Sequence, residues 1–133
     1  MAAGSSGGAP VTVYRVEGST NQRLIIDSDG NVSLNPDNNN TIWLNFGDAG
    51  RANDYFATKL AQGLPDVQLK SFDIDPSFLE QVQNDAVPEQ FARSFPSQPI
   101  ISADPFPNQF GIRQNQFQQL LDSIYQGSGK NGP

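Results

Sequence analysis

The chain has 133 residues, a formal net charge of −6, and neither histidine nor cysteine. That length suits one domain with one modest core, and the missing residue types exclude disulfides, cysteine or histidine metal sites, thiol nucleophiles and Ser-His-Asp triads. The eight Lys and Arg form no basic run, which counts against stable DNA binding, and no apolar run is long enough to span a membrane.

Met1–Pro10 (MAAGSSGGAP) reads as a flexible linker or an expression scar. Val11–Glu17 (VTVYRVE) follows as a β-branched, alternating strand, with Val11, Val13 and Arg15 on one face and Tyr14 and Val16 on the other. Arg23–Asp27 predicts a short strand, Ser28-Asp29-Gly30-Asn31 a hairpin turn, and Val32–Leu34 the returning strand. After the polar loop 35–40, Thr41–Phe46 (TIWLNF) is the best strand in the chain. Asp48 is placed to cap a helix from Ala49 to Ala61, whose Ala52, Tyr55, Phe56 and Leu60 share a face.

Val67–Ile74 predicts another strand, and Asp75-Pro76 supplies an N-cap and a first-turn proline for a helix bearing Phe78, Leu79 and Val82. A short helix starts near Pro88, holds Phe91 and is broken by Pro96 and Pro99. Pro99–Ala103 reads as a short strand, Asp104–Asn108 as an irregular loop, and Gln109–Ile112 as an edge strand or extended stretch. A last helix spans Arg113–Tyr125, with Phe117, Leu120, Leu121 and Ile124 at i, i+3, i+4 and i+7. Gly127–Pro133 reads as a flexible tail, which leaves 11–126 as a single domain. Strands and helices mix without βαβ alternation, so the expected class is α+β: a small mixed or split sheet with packed helices.

With these residue types, chemistry needs an Arg beside apolar strand residues, with polar groups on neighbouring strands. Arg15 is the first element, because guanidinium is a permanently charged fork suited to diphosphate or carboxylate. Asn45 and Phe46, at a strand end before a capped helix, are the second: an amide and a ring that could hold a nicotinamide-like group. The plain alternative makes Phe46 a core residue and Asn45 a turn residue.

The order of a strand with Tyr14-Arg15, a hairpin, a strand ending Leu44-Asn45-Phe46-Gly47, a helix with Arg51-Ala52 and Tyr55-Phe56, and a strand Lys70–Ile74 resembles the ADP-ribosyltransferase fold. The resemblance is to the C-terminal toxin domains of bacterial polymorphic (Rhs-type) toxins, and covers roughly Val11 to Ile124. It implies an NAD+-consuming transferase that modifies a macromolecule, protein or RNA, without a metal. It further implies delivery by a secretion system, action in the cytoplasm of a competing bacterium, and a cognate immunity protein as partner. By the same resemblance Arg15 grips NAD+, and Ser33, Asn45 and Phe46 line the nicotinamide pocket.

The family's late-strand Glu, which steadies the ribose as the glycosidic bond ionises, has no counterpart among Glu17, Glu80 and Glu89. Gln109 stands in its place, with Asp104 just upstream. The role falls to Gln109, Glu89 or Asp104, or the form is inactive. Two other readings stay open: an NAD+ glycohydrolase on the same fold, and a non-catalytic adaptor in which Arg15 makes a structural ion pair with Glu17 or an aspartate.

Overall fold

In the computed structural model, which describes residues 9–18, 22–35, 40–64, 66–102 and 108–131, the alternating segment Val11–Glu17 forms β1, an interior strand of a seven-stranded sheet. Leu24–Ile26 (β2) and Val32–Leu34 (β3) pair antiparallel as a separate hairpin. Its turn is set by Gly30 at φ 81°, with the Asp27 carboxylate accepting from the amides of Asp29 and Asn31. Ile42–Phe46 (β4) and Gln68–Ile74 (β5) flank β1, both antiparallel to it.

Beyond β4 lie Gln109–Ile112 (β8), then the two-residue strands Ile100–Ile101 (β7) and Val87–Pro88 (β6). Among the described residues only the β6–β7 pairing is parallel. The protein is therefore a mixed α+β domain with a mostly antiparallel sheet. The predicted edge position of 109–112 is corrected: β8 is interior, paired on one side with β4 and on the other with β7. The edge is taken instead by Val87-Pro88, a position where a missing N–H costs no ladder bond.

Helix α1 (Ala49–Ala61) begins as its sequence predicts, with the Asp48 side chain accepting from the Arg51 amide. Helix α2 (Pro76–Asp85) is capped by Asp75, which accepts from the Ser77 amide. The segment after Pro88 is a 3-10 turn over Glu89–Ser94. The final helix is shorter than its spacing suggests: a 3-10 turn at Gln114–Gln116 leads into α3 (Phe117–Ser123). Ile124 leaves the helix extended, yet it still reaches the core through a bridge to Ile74.

Strand alternation divides the sheet. One face carries Val13, Leu44, Phe46, Phe72, Ile74 and Phe110 into the main core, which is closed by Phe78 and Val82 of α2, Leu120 of α3, and Leu24 and Val32 of the hairpin. The other face carries Tyr14, Val16, Trp43 and Asn45, and α1 lies over it.

The C-terminal segment is also corrected. Residues 127–131 belong to the fold, and Lys130–Asn131 form β9 on the outer edge of β5. The amides of Gly127 and Gly129 both donate to Gly30 O, at 3.1 and 2.8 Å. A Cβ on Gly129 would stand 2.7 Å from Ile26 Cγ2 and 2.8 Å from Gly30 O, so this approach requires glycine. Gln126 adds two bonds to the Val32 backbone. The glycines that read as a flexible tail let the chain pack tightly on the hairpin turn. Of the opening 1–10 segment, residues 1–8 lie outside the described residues, as do 132 and 133 of the tail.

Candidate functional site

The β4–α1 turn holds the helix off the second sheet face and leaves a cavity of about 250 Å3 between them. Gly47 takes φ 94°, a left-handed angle that favours glycine. Asn45 then locks the turn: its amide donates to Asp48 O at 2.9 Å, and its carbonyl accepts from the Asp48 amide at 2.9 Å. The sheet supplies one wall as a cross-strand row, since Tyr14 pairs with Asn45 and Asn45 with Gln109. Trp43 stands in the next row opposite Gly111. A Cβ at Gly111 would lie 3.2 Å from two indole carbons, so the glycine makes room for the ring. From α1 come Arg51, Ala52 and Tyr55, and the Lys59 ammonium sits 5.2 Å from the Tyr55 ring centroid.

Arg15 also lines this cavity, although its side chain starts from the core face. The β1–β4 ladder has two partner pairs, Val13↔Phe46 and Tyr14↔Asn45, whereas β1 follows β5 through seven. Past Tyr14 the guanidinium replaces the ladder: Arg15 Nη1 donates to Trp43 O at 3.0 Å. Arg23 does the same further along, donating to Thr41 O at 3.2 Å and to Asn40 O. Two arginines thus cover carbonyls of β4 and of the residues just before it that β1 leaves behind, which protects an exposed strand edge.

Both arginines gather around Glu17, whose side chain is 2% exposed. Its Oε1 accepts from Arg15 Nε at 2.5 Å. Its Oε2 accepts from Lys70 Nζ at 2.9 Å and from the amides of Arg23 and Leu24 at 2.8 and 3.2 Å. Lys70, only 1% exposed, also donates to Leu24 O at 2.5 Å. Burial pushes the Arg23 guanidinium below its ordinary pKa, nearby Arg15 adds to that, and Glu17 pulls it back.

Of the residues expected at the site, Arg15, Asn45 and Gln109 meet at one cavity. Phe46 does not: it is 2% exposed, with ring centroids 6.4 Å from Phe78 and 5.8 Å from Phe110. Alternation forbids neighbours 45 and 46 from sharing a face, so placing both in one pocket is corrected and Phe46 is core. Ser33 is exposed on β3, opposite Ile25, and lines no part of the cavity. Glu89 opens the 3-10 turn and is exposed, also away from the cavity. Asp104 lies outside the described residues. The cavity residues that sequence reasoning missed are Trp43, Tyr14, Arg51 and Tyr55. Two-residue alternation from Asn45 and four-residue spacing on α1 were the signals for them.

Two cations, three aromatic rings and two amides converge here, and among the described lining residues there is no carboxylate. Neither the Gln109 amide nor the Trp43 indole N–H bonds a side chain or backbone group of the described residues. The volume falls below the roughly 300–1,000 Å3 that encloses a drug-sized ligand, so the cavity can enclose one ring system, with the remainder of a larger ligand lying outside it. Among the described residues no acidic group gathers in a way that could hold a cation. No protein-family model matches the chain, and comparisons with curated proteins and with solved structures likewise find no match.

Proposed function

We propose that this domain is an ADP-ribosyltransferase-like toxin domain that consumes NAD+. The observation that carries the reading is the meeting of Arg15 on β1 and Gln109 on β8, far apart in sequence, on the walls of one aromatic cavity with no carboxylate among its described lining residues. Arg15 and Arg51 supply positive charge for a phosphate-bearing ligand. Tyr14, Trp43 and Tyr55 offer faces to a cationic nicotinamide ring. Gln109 offers an amide to the ribose or the carboxamide.

In this reaction the bond between ribose C1′ and the nicotinamide nitrogen breaks and its electron pair leaves with nicotinamide. An acceptor nucleophile, or water, then bonds to C1′ and loses its proton. No metal is required. An amide in place of a carboxylate stabilises the ribosyl cation less, so a low rate of turnover belongs to the proposal. The acceptor is a macromolecule, protein or RNA, in the cytoplasm of a target bacterium, and the producing cell needs an immunity protein. Incubation of the purified domain with labelled NAD+ and cell lysate tests this. Nicotinamide release with label on a macromolecule supports transfer, release with label on free ADP-ribose supports hydrolysis, and no release refutes both.

A non-catalytic binding domain is the second reading, and the Arg15–Glu17 ion pair favours it. The two readings part on ligand stabilisation: NAD+ well above its Kd raises the melting temperature of a protein with a real site and leaves an adaptor unmoved.

A further inference from the structure

Glu17 takes no part in the proposed chemistry, yet it is the most constrained carboxylate among the described residues. It is buried at 6% residue exposure and accepts four hydrogen bonds, two from cations and two from backbone amides. A carboxylate so placed is stabilised only if every partner stays in position. The partners come from three directions: Lys70 from β5, the Arg23 and Leu24 amides from the start of β2, and Arg15 from β1 itself. Arg15 is the one member that also borders the cavity.

We infer that Glu17 is the positioning residue of the site: anchored by Lys70 and the hairpin amides, it fixes the Arg15 guanidinium against Trp43 O at the cavity wall. Arg15 has several rotatable bonds, and a free guanidinium would lose much conformational freedom on gripping a ligand. Two bonds, Nε to Glu17 and Nη1 to Trp43 O, fix the plane of the fork in advance. The carboxylate therefore works from the opposite side of the sheet, through Arg15 and never on the ligand. The hairpin, which supplies none of the described lining residues, is coupled to the cavity through this carboxylate. This inference rests on the NAD+ reading of the cavity.

The test uses the full chain and its single tryptophan, Trp43, as a fluorescence reporter in the cavity. Glu17→Gln alone strands a buried ammonium, so the working variant is Glu17→Gln with Lys70→Met, and Lys70→Met alone is the comparison that keeps the Arg15 anchor. The double variant is expected to bind NAD+ at least about tenfold more weakly, the loss of one charge-assisted orienting contact. Lys70→Met, which removes one anchor of Glu17 but keeps the Glu17–Arg15 contact, is expected to weaken NAD+ binding less than the double variant does. Equal NAD+ affinity of the double variant and the unmodified chain overturns the inference.

If the unmodified chain itself fails to bind NAD+, the functional proposal falls, and the side-chain Nε–H resonance of Arg15 then decides the positioning role. A slowly exchanging signal that disappears in the double variant supports that role. A signal already in fast exchange in the unmodified chain, or one unchanged by the substitutions, refutes it.

Discussion

Replacing Lys70 with Met removes an ammonium that is 1% exposed and has three acceptors: Glu17 Oε2 at 2.9 Å, Leu24 O at 2.5 Å and Gln22 Oε1 at 3.4 Å. Methionine fills much of the same space, so the loss is electrostatic rather than a cavity. Glu17 keeps Arg15 and two amides but loses its most buried counter-charge. Breaking one side of a buried pair costs about 3 kcal/mol or more, which for a chain of this size lowers Tm by roughly 10 °C. Adding Glu17→Gln removes the stranded charge while keeping an acceptor for the Arg23 and Leu24 amides. The double variant should then recover part of the loss, with a coupling energy of about 1–2 kcal/mol. Urea unfolding of the four proteins in the cycle measures both quantities. A cost below about 0.5 kcal/mol for Lys70→Met, as at an ordinary surface site, or two single effects that simply add, would show that this cluster does not tie the hairpin to the sheet.

Truncation after Gln126 deletes β9 and both glycine amide bonds to Gly30 O; it should cost about 2 kcal/mol and speed proteolysis at the hairpin, and unchanged stability refutes the corrected role of the segment. Gly111→Val puts side-chain atoms where Thr41 Cγ2 and the Trp43 ring already lie, 2.9 and 3.2 Å from the Cβ position. It should cost about 1–3 kcal/mol and shift Trp43 emission, and an unshifted spectrum counts against the packing described. Gln109→Glu adds the anion that the cavity lacks and, on the proposed chemistry, should raise nicotinamide release by about tenfold or more; an unchanged rate would place Gln109 outside the reacting centre.

Most of the fold is legible in the sequence because its signals are local. Asp48 and Asp75-Pro76 mark helix starts through cap chemistry that needs no tertiary context, and both caps form as read. Asp29-Gly30 likewise marks the hairpin turn. What escaped depends on long-range pairing. β8 looked like an edge because four residues with a glycine give no sign that partners lie on both sides. Gly127-Ser128-Gly129 looked like a tail because small residues serve equally for flexibility and for close packing, and only the hairpin turn decides between them.

At the site, Arg15 was legible as a charge on an apolar strand, and its pairing with Glu17 was foreseen as one alternative. Lys70 was not, since a lysine between Leu69 and Ser71 gives no hint that it is fully buried. Phe46 was misplaced by treating adjacent strand residues as neighbours in space.

The most direct measurement is nicotinamide release from NAD+ by the purified chain, followed beside Arg15→Ala. The account predicts measurable release by the unmodified protein and a loss of at least about tenfold in the variant, with the sheet intact by circular dichroism. No release by the unmodified protein, or equal release by a folded Arg15→Ala, contradicts it.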